Sequence, residues 1–180
     1  MDLLREIYER DLGISDRDNT ARRHGGRFWF SQTVVGVVYN DQHQIVMIHR
    51  NDDHYGLPAG NSGPGEETSH VLRLELDKLG AGAWTVEPAD ELGLVIEYRD
   101  SLESIQFAYG FTAHASVRIS DFHTEADSIL LHEALEEEAN LVKWMSVHEA
   151  IALLNRHSPN SYEGKFIQAR DLTLLKQLLR

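Results

Sequence analysis

The chain contains no cysteine, and only four of its 180 residues are proline. The absence of cysteine excludes disulfide bonds and metal sites built on thiolates. No apolar run approaches the length of a membrane-spanning helix, and the first residues do not follow the pattern of a signal peptide. We therefore expect a cytoplasmic protein with no membrane partner.

Positive charge is also scarce. The chain has 17 Lys and Arg residues against 29 Asp and Glu residues, so its formal net charge is −12. Binding to a nucleic acid polymer needs a basic surface, which argues against a polymer as the partner. A small nucleotide-like ligand stays compatible with this charge, because a local pocket and a metal ion can overcome the overall field.

The length and composition fit one soluble domain with a hydrophobic core. Hydrophobic residues make up 42% of the chain and charged residues 26%. The spacing of Leu3, Leu4, Ile7 and Tyr8 favours an amphipathic helix, so residues 1–26 are predicted as an N-terminal helix and arm. Residues 27–180 are predicted to form the main part of a single domain.

Alternating and β-branched residues predict several strands in that part. Residues 28–39 and 44–49 flank a turn and predict a hairpin. Strands are also predicted at 84–86, 92–98, 104–117 and 141–145, with 92–98 and 104–117 as antiparallel neighbours. Helices are predicted at 66–79, 147–154 and 163–179. Residues 50–55 read as a polar loop, in which Asp52, Asp53 and His54 look like ligands but fit a turn better.

Residues 57–82 form the most informative stretch, with a glycine-rich loop followed by a helix. Gly60, Gly63 and Gly65 allow tight turns, and Glu66 and Glu67 suit the N-terminus of a helix.

This stretch resembles the signature of the Nudix hydrolases. The signature runs Gly, five residues, Glu, seven residues, Arg-Glu, an aliphatic, any residue, Glu-Glu, any residue, Gly and an aliphatic. Gly60, Glu66 and Glu75 stand at the matching positions of the first Gly, the first Glu and the central Glu. The departures fall on the Arg, the Glu-Glu pair and the second Gly, where this chain has Leu74, Lys78, Leu79 and Ala81.

The resemblance implies a fold and a chemistry. The fold would be α/β, a Nudix-type α/β/α sandwich with a mixed β-sheet between helices, and a homodimer would be in keeping with it. The activity would be that of a Mg²⁺- or Mn²⁺-dependent pyrophosphohydrolase acting on nucleoside diphosphate-linked substrates. Glu75 would be the catalytic residue and a metal ligand, Gly60 and Arg50 would contact the substrate, and the remaining metal ligands would be Glu66, Glu137 and Glu138.

The residue types on the predicted helix argue against this metal chemistry. Hard cations prefer several oxygen ligands, and Lys78 and Leu79 stand where the family places two carboxylates. We therefore expect no tight Mg²⁺ site on this helix and weak or absent hydrolysis. An active protein would use Mg²⁺ or Mn²⁺, and an inactive one would need no cofactor. The acidic run at 136–138 could supply a ligand, but such runs are more often solvated.

Two classes of function stay open at this point. One is a weakly active pyrophosphohydrolase, which the retained Gly60, Glu66 and Glu75 favour. The other is a non-catalytic nucleotide-binding or regulatory protein on the Nudix fold, which the loss of the Glu-Glu pair favours. An acidic domain that serves only as an interaction surface is a third reading, and no residue pattern favours it.

Overall fold

A computed structural model of the protein describes residues 1–15, 28–78, 84–117 and 142–180. Within these ranges the chain forms eight strands and three α-helices. The strands are β1 (Leu3–Tyr8), β2 (Trp29–Tyr39), β3 (Ile45–Arg50), β4 (His54–Gly56), β5 (Ala59–Asn61), β6 (Trp84–Arg99), β7 (Ser104–Val117) and β8 (Val142–Met145). The helices are α1 (Thr68–Asp77), α2 (Val147–Arg156) and α3 (Tyr162–Gln177), and two 3-10 turns lie at Glu9–Leu12 and Asp100–Leu102.

The eight strands join one mixed sheet. Its main path runs β1-β6-β7-β2-β3-β4, while β5 pairs with β2 and β8 pairs with β3. The pairs β1/β6 and β2/β7 are parallel, and the other pairs are antiparallel. This confirms the predicted mixed sheet, the hairpin formed by β2 and β3, and the antiparallel pairing of β6 with β7.

The helices cover both faces of this sheet. Successive side chains of a strand point to opposite faces, and β2 shows the result clearly. Val38 packs in the same buried cluster as Leu72 of α1, whereas Val37 packs with Phe166 of α3 and with residues of α2. The predicted α/β/α sandwich is therefore confirmed. None of the described helices has both the length and the apolar character needed to cross a membrane.

The N-terminal segment is a strand, so the predicted helix there is wrong. Residues of β1 pair in parallel with β6, from Leu3 opposite Leu94 to Tyr8 opposite Tyr98, and Ile7 is fully buried. A six-residue segment gains little from helix formation by itself, whereas the edge of β6 satisfies its backbone groups. The rest of the predicted arm, from residue 16 onward, lies outside the described residues.

Other elements differ from the prediction in their boundaries. The two strands predicted at 84–86 and 92–98 are parts of the single strand β6, whose register shifts between Pro88 and Gly93. Extra residues in such a bulge absorb the proline without ending the strand. In the predicted loop at 50–55, residues 51–53 form a turn and His54 begins β4. Helix α1 begins at Thr68, two residues later than predicted.

Candidate functional site

The loop before α1 lies directly against that helix because Gly60 has no side chain. Gly60 lies in β5, which pairs with β2 and so fixes the loop on the sheet. A Cβ atom at this position would lie 2.8 Å from Cγ1 of Val71 and 3.0 Å from Cγ of Glu75. Both distances are too short for an ordinary contact, so only glycine lets the loop backbone approach Glu75 this closely.

Glu75 lies between two cations. Its Oε1 accepts a hydrogen bond from Nζ of Lys78 at 2.6 Å, and its Oε2 lies 3.9 Å from Nη2 of Arg50. The Glu75 side chain is largely buried, with 12% of its surface exposed, whereas Lys78 is 69% exposed. The central carboxylate of the signature is therefore an ion-paired group.

A cavity of about 710 Å³ opens over this helix and loop. Gly60, Glu75, Arg50 and Glu66 all line it, so the structure brings together every predicted site residue that it describes. Leu74, which replaces the Arg of the signature, also lines the cavity and is 43% exposed, so it is not a core residue. The other predicted residues, Leu79, Ala81, Glu137 and Glu138, lie outside the described residues.

Cations are concentrated on the cavity wall although the chain as a whole is acidic. Among the described residues, four cationic side chains and three carboxylates line it, namely Arg50, Lys78, Arg99 and Arg170 with Glu66, Glu75 and Glu163. Sequence reasoning missed Arg99 and Arg170. One signal was present, since Glu97 and Arg99 lie two residues apart in an apolar strand and therefore share one face of the sheet.

A buried network holds these two arginines in place. Arg99 donates from Nε to Oε2 of Glu97 at 2.8 Å and from Nη2 to Oε1 of Glu163 at 3.1 Å. Arg170 donates from Nε to Oδ1 of Asp171 at 2.7 Å, and its Nη1 lies 3.8 Å from Oε1 of Glu97. Burial alone would lower the pKa of both guanidinium groups, but the neighbouring carboxylates outweigh it and raise the pKa of each.

The same network reaches the loop before α1. Oδ2 of Asp171, a fully buried side chain of α3, accepts a hydrogen bond from the backbone N–H of Leu57 at 2.7 Å. Leu57 precedes β5, which carries Gly60. The helix that supplies Arg170 is thereby attached to the loop that supplies the opposite side of the cavity.

A second cluster fixes the start of α3 beside the cavity. Oδ1 of Asp53 accepts hydrogen bonds from the backbone N–H groups of Asn160 and Ser161 at 2.8 and 3.0 Å, and Oδ2 accepts one from the Ser161 hydroxyl. Asp53 Oδ2 also lies 3.0 Å from Nδ1 of His54, which lines the cavity. The Ser161 hydroxyl is the main cause of a lowered pKa of Asp53; burial opposes it, and the backbone donors and His54 add to it.

Comparison with known proteins adds information on the fold. No protein-family model matches the chain, and no curated protein matches its sequence. Among solved structures, the solution structure of the E. coli ORF135 protein matches 86% of this chain and 91% of its own, with a TM-score of 0.51 and 13% identity. A UDP-X diphosphatase matches 93% of this chain and 73% of its own, with a TM-score of 0.50 and 13% identity. A Nudix hydrolase from Nitrosomonas europaea matches 79% of this chain and 89% of its own, with a TM-score of 0.47 and 15% identity.

The fold is of the Nudix type. A UDP-X diphosphatase and a protein named as a Nudix hydrolase are thus among the structural neighbours of the chain, and the likeness covers most of its length. In this Nudix-type fold, α1 and the preceding loop occupy the segment that carries the signature, and the cavity lies above them.

The described residues do not fit the hard cation that the Nudix fold implies. Across the four described ranges, no group of three or more His, Asp or Glu side chains could hold a metal ion. Glu75 directs one carboxylate oxygen at Lys78 and the other toward Arg50. A Mg²⁺ or Mn²⁺ ion prefers several oxygen ligands and is repelled by an ammonium group.

Proposed function

We propose that this protein binds a nucleoside diphosphate-linked small molecule in the cavity and hydrolyses it weakly or not at all. The observation that carries the proposal is the ion pair between Glu75 and Lys78, with Nζ 2.6 Å from Oε1. It occupies the carboxylate that the Nudix resemblance assigns to the metal and places a fixed positive charge at the same wall.

The cavity has the size and the chemistry for such a ligand. Small-molecule sites commonly have volumes of about 300–1,000 Å³, and this cavity measures about 710 Å³. Arginine side chains present several N–H donors in one plane and suit phosphate oxygens. Arg50, Arg99 and Arg170 therefore place N–H donors for phosphate oxygens at the wall of the cavity. The likeness in fold to the UDP-X diphosphatase supports the class of ligand.

Weak hydrolysis follows from the same charges. Metal-dependent pyrophosphate cleavage relies on a cation that stabilises phosphate charge and activates a water molecule. Lys78 can supply the first of these effects, but an ammonium group does not make a bound water more acidic in the way a divalent cation does. Ligand binding can thus persist where turnover is lost.

A metal-dependent hydrolase is the second candidate. The observation that favours it is that Glu66 and Glu75 line the same cavity as Gly60, as the Nudix signature requires. Under this alternative, Lys78 moves into solvent, where 69% of its side chain already lies, and carboxylates from elsewhere complete the metal site.

Calorimetry with UDP-glucose separates the two candidates. We expect binding in EDTA that changes little when millimolar Mg²⁺ or Mn²⁺ replaces EDTA, and no phosphate-bond cleavage at enzyme-like rates. Turnover of about 1 s⁻¹ or faster that EDTA abolishes would instead establish the hydrolase. Failure of the wild-type protein to bind UDP-glucose in either buffer would contradict the binding proposal.

A matched pair of arginine variants locates the binding site. Arg50→Gln removes a partly exposed cation from the cavity, and we expect UDP-glucose affinity to fall roughly tenfold, the effect of losing a charged hydrogen bond. Arg73→Gln removes the same charge from α1, but Arg73 does not line this cavity. It should bind UDP-glucose as the wild type does.

A further inference from the structure

His54 presents a buried nitrogen atom without a hydrogen-bond partner at the wall of the cavity. Only 3% of the residue is exposed, and it lines the same cavity as Arg50 and Glu75. Its Nε2 has no partner among the described residues. Buried polar atoms in native proteins are nearly always hydrogen-bonded, so such an exception in a cavity wall calls for a partner.

The other ring nitrogen of His54, Nδ1, is already hydrogen-bonded to Asp53. Nδ1 lies 3.0 Å from Oδ2 of Asp53, and Gly164 leaves the room for this pair, because a Cβ there would lie 2.9 Å from Nδ1. Asp53 accepts hydrogen bonds from Asn160 and Ser161 as well, and these keep it ionised. An ionised carboxylate only accepts, so Nδ1 carries a proton, and in a neutral ring Nε2 is then an acceptor.

The fold places this acceptor beside a cation. His54 in β4 is the antiparallel partner of Arg50 in β3. Side chains of directly opposed residues lie on the same face of a sheet and close together. A ligand whose phosphate contacts Arg50 therefore brings its adjoining group near His54.

We propose that Nε2 of His54 accepts a hydrogen bond from the bound molecule, so that the cavity selects ligands with a hydroxyl or amino group beside their phosphates. This inference rests on the proposed function. It adds a specificity-determining residue that is independent of the Nudix signature, since Asp53 and His54 lie before Gly60. It also gives the turn and strand at residues 51–56 a role in recognition.

Two probes test the inference by calorimetry. UDP-glucose carries sugar hydroxyls next to its diphosphate, whereas inorganic pyrophosphate has no such groups. His54→Phe should weaken UDP-glucose binding about tenfold, as expected when a buried acceptor is lost, and change pyrophosphate binding by less than about twofold. His54→Gln keeps an acceptor oxygen and should lose less. His49→Phe, a histidine of β3 that does not line the cavity, should bind both probes like the wild type.

A measurement on the wild-type protein covers the case in which His54 variants do not fold. In ¹⁵N-histidine spectra, with His54 assigned from the spectrum of His54→Gln or by standard backbone assignment, Nε2 should be unprotonated in the free protein. Its shift should move when UDP-glucose binds and stay constant with pyrophosphate. A protonated Nε2 in the free protein, or an unchanged shift at saturating UDP-glucose, would overturn the inference.

The outcomes separate this inference from the proposed function. A wild-type protein that binds UDP-glucose, together with a His54→Phe variant that binds it equally well, would overturn only the role of His54. A folded His54→Phe variant that loses both probes equally would assign His54 a purely structural role and overturn it too. A wild-type protein that binds neither probe would contradict the proposed function and the inference together.

Discussion

Nζ of Lys78, the residue that follows α1, lies 2.6 Å from Oε1 of Glu75 in the last turn of that helix. The Nudix signature places a carboxylate at each of these positions, so the sign of the charge at position 78 is reversed. A pair at i and i+3 on a helix surface ordinarily contributes only a few tenths of a kcal/mol. Here the pair also closes a cavity wall, so its main effect is on what the cavity can hold.

Restoring the signature should create a metal site. The combination Leu74→Arg, Lys78→Glu and Leu79→Glu returns the two carboxylates of the Nudix signature and removes the ammonium group. We expect calorimetry to show Mn²⁺ binding at least about tenfold tighter than in the wild type, since the ion gains two oxygen ligands. Adding Glu75→Gln to the triple variant should reverse the gain. Tight Mn²⁺ binding by the wild-type protein through Glu75 would contradict the prediction.

The Leu74→Arg change alone should leave stability almost unaltered. Leu74 is 43% exposed on the cavity wall, and substitutions at such surface positions usually change the free energy of unfolding by no more than about 0.5 kcal/mol. Urea denaturation of this single variant measures the effect. A loss of several kcal/mol would mean that Leu74 packs more tightly than its exposure indicates.

Glu97 and Glu163 bind the same arginine in different surroundings, which makes them a matched pair. Glu97 is fully buried and contacts both Arg99 and Arg170, whereas the side chain of Glu163 is 52% exposed. Glu97→Gln should lower the free energy of unfolding by about 3–5 kcal/mol, because it leaves buried cations without their common partner. Glu163→Gln should cost no more than about 1 kcal/mol, as for an exposed ion pair. Equal losses of unfolding free energy in urea denaturation would show that the two carboxylates contribute equally to stability.

Gly60 should not tolerate a methyl group. In Gly60→Ala the new Cβ would meet Val71 and Glu75 at 2.8 and 3.0 Å, so the loop and α1 would separate, at a cost of about 1–3 kcal/mol. Gly63→Ala is the control, because its Cβ would find its nearest neighbour at 3.4 Å, in the Glu66 side chain. Thermal unfolding of both variants measures the difference. A Gly60→Ala protein as stable as Gly63→Ala would mean that the loop does not depend on this contact.

Asp53 should make stability depend on acid pH. Its pKa is lowered in the folded protein, so the stabilisation is fully present above the unfolded value of about 3.9 and is lost as the pH falls below it. Asp53→Asn should therefore be less stable than the wild type at neutral pH, and the gap should narrow below about pH 4. Urea midpoints from pH 7 to pH 2 measure this. Asp52→Asn, which removes the same charge from an exposed neighbour, is the matched control.

Local patterns predicted the elements whose signals lie in one short window. The hairpin of β2 and β3 has two runs of β-branched residues around a polar turn, and the loop before α1 is rich in glycine. The spacing of Leu3, Leu4, Ile7 and Tyr8 predicts a helix, but the segment forms β1, because the neighbour that decides its conformation is β6, far along the chain. The gap between the strands predicted at 84–86 and 92–98 is a bulge within β6, and pairing with β7 decides that conformation.

The candidate site likewise contains residues that local spacing predicts and residues that only the tertiary fold brings together. Gly60, Glu66 and Glu75 could be found from fixed spacing within one segment. Arg99 and Arg170 come from different elements and meet only through the folded sheet and α3. A tertiary contact of this kind leaves no local signal beyond a charged residue at a buried position of a strand or helix.

The parallel pairing of β1 with β6 has a consequence for the order of events during synthesis. Leu3 pairs with Leu94, and Trp29 at the start of β2 pairs with Ser104 of β7. Both early strands must therefore wait until the ribosome has made their partners, and contacts so distant along the chain slow folding. Meanwhile β2 can pair with β3 and β5 and pack against α1, but the edge that pairs with β7 stays open. We expect nascent chains that stop before β7 to depend on chaperones, while chains that extend past β7 can close the centre of the sheet.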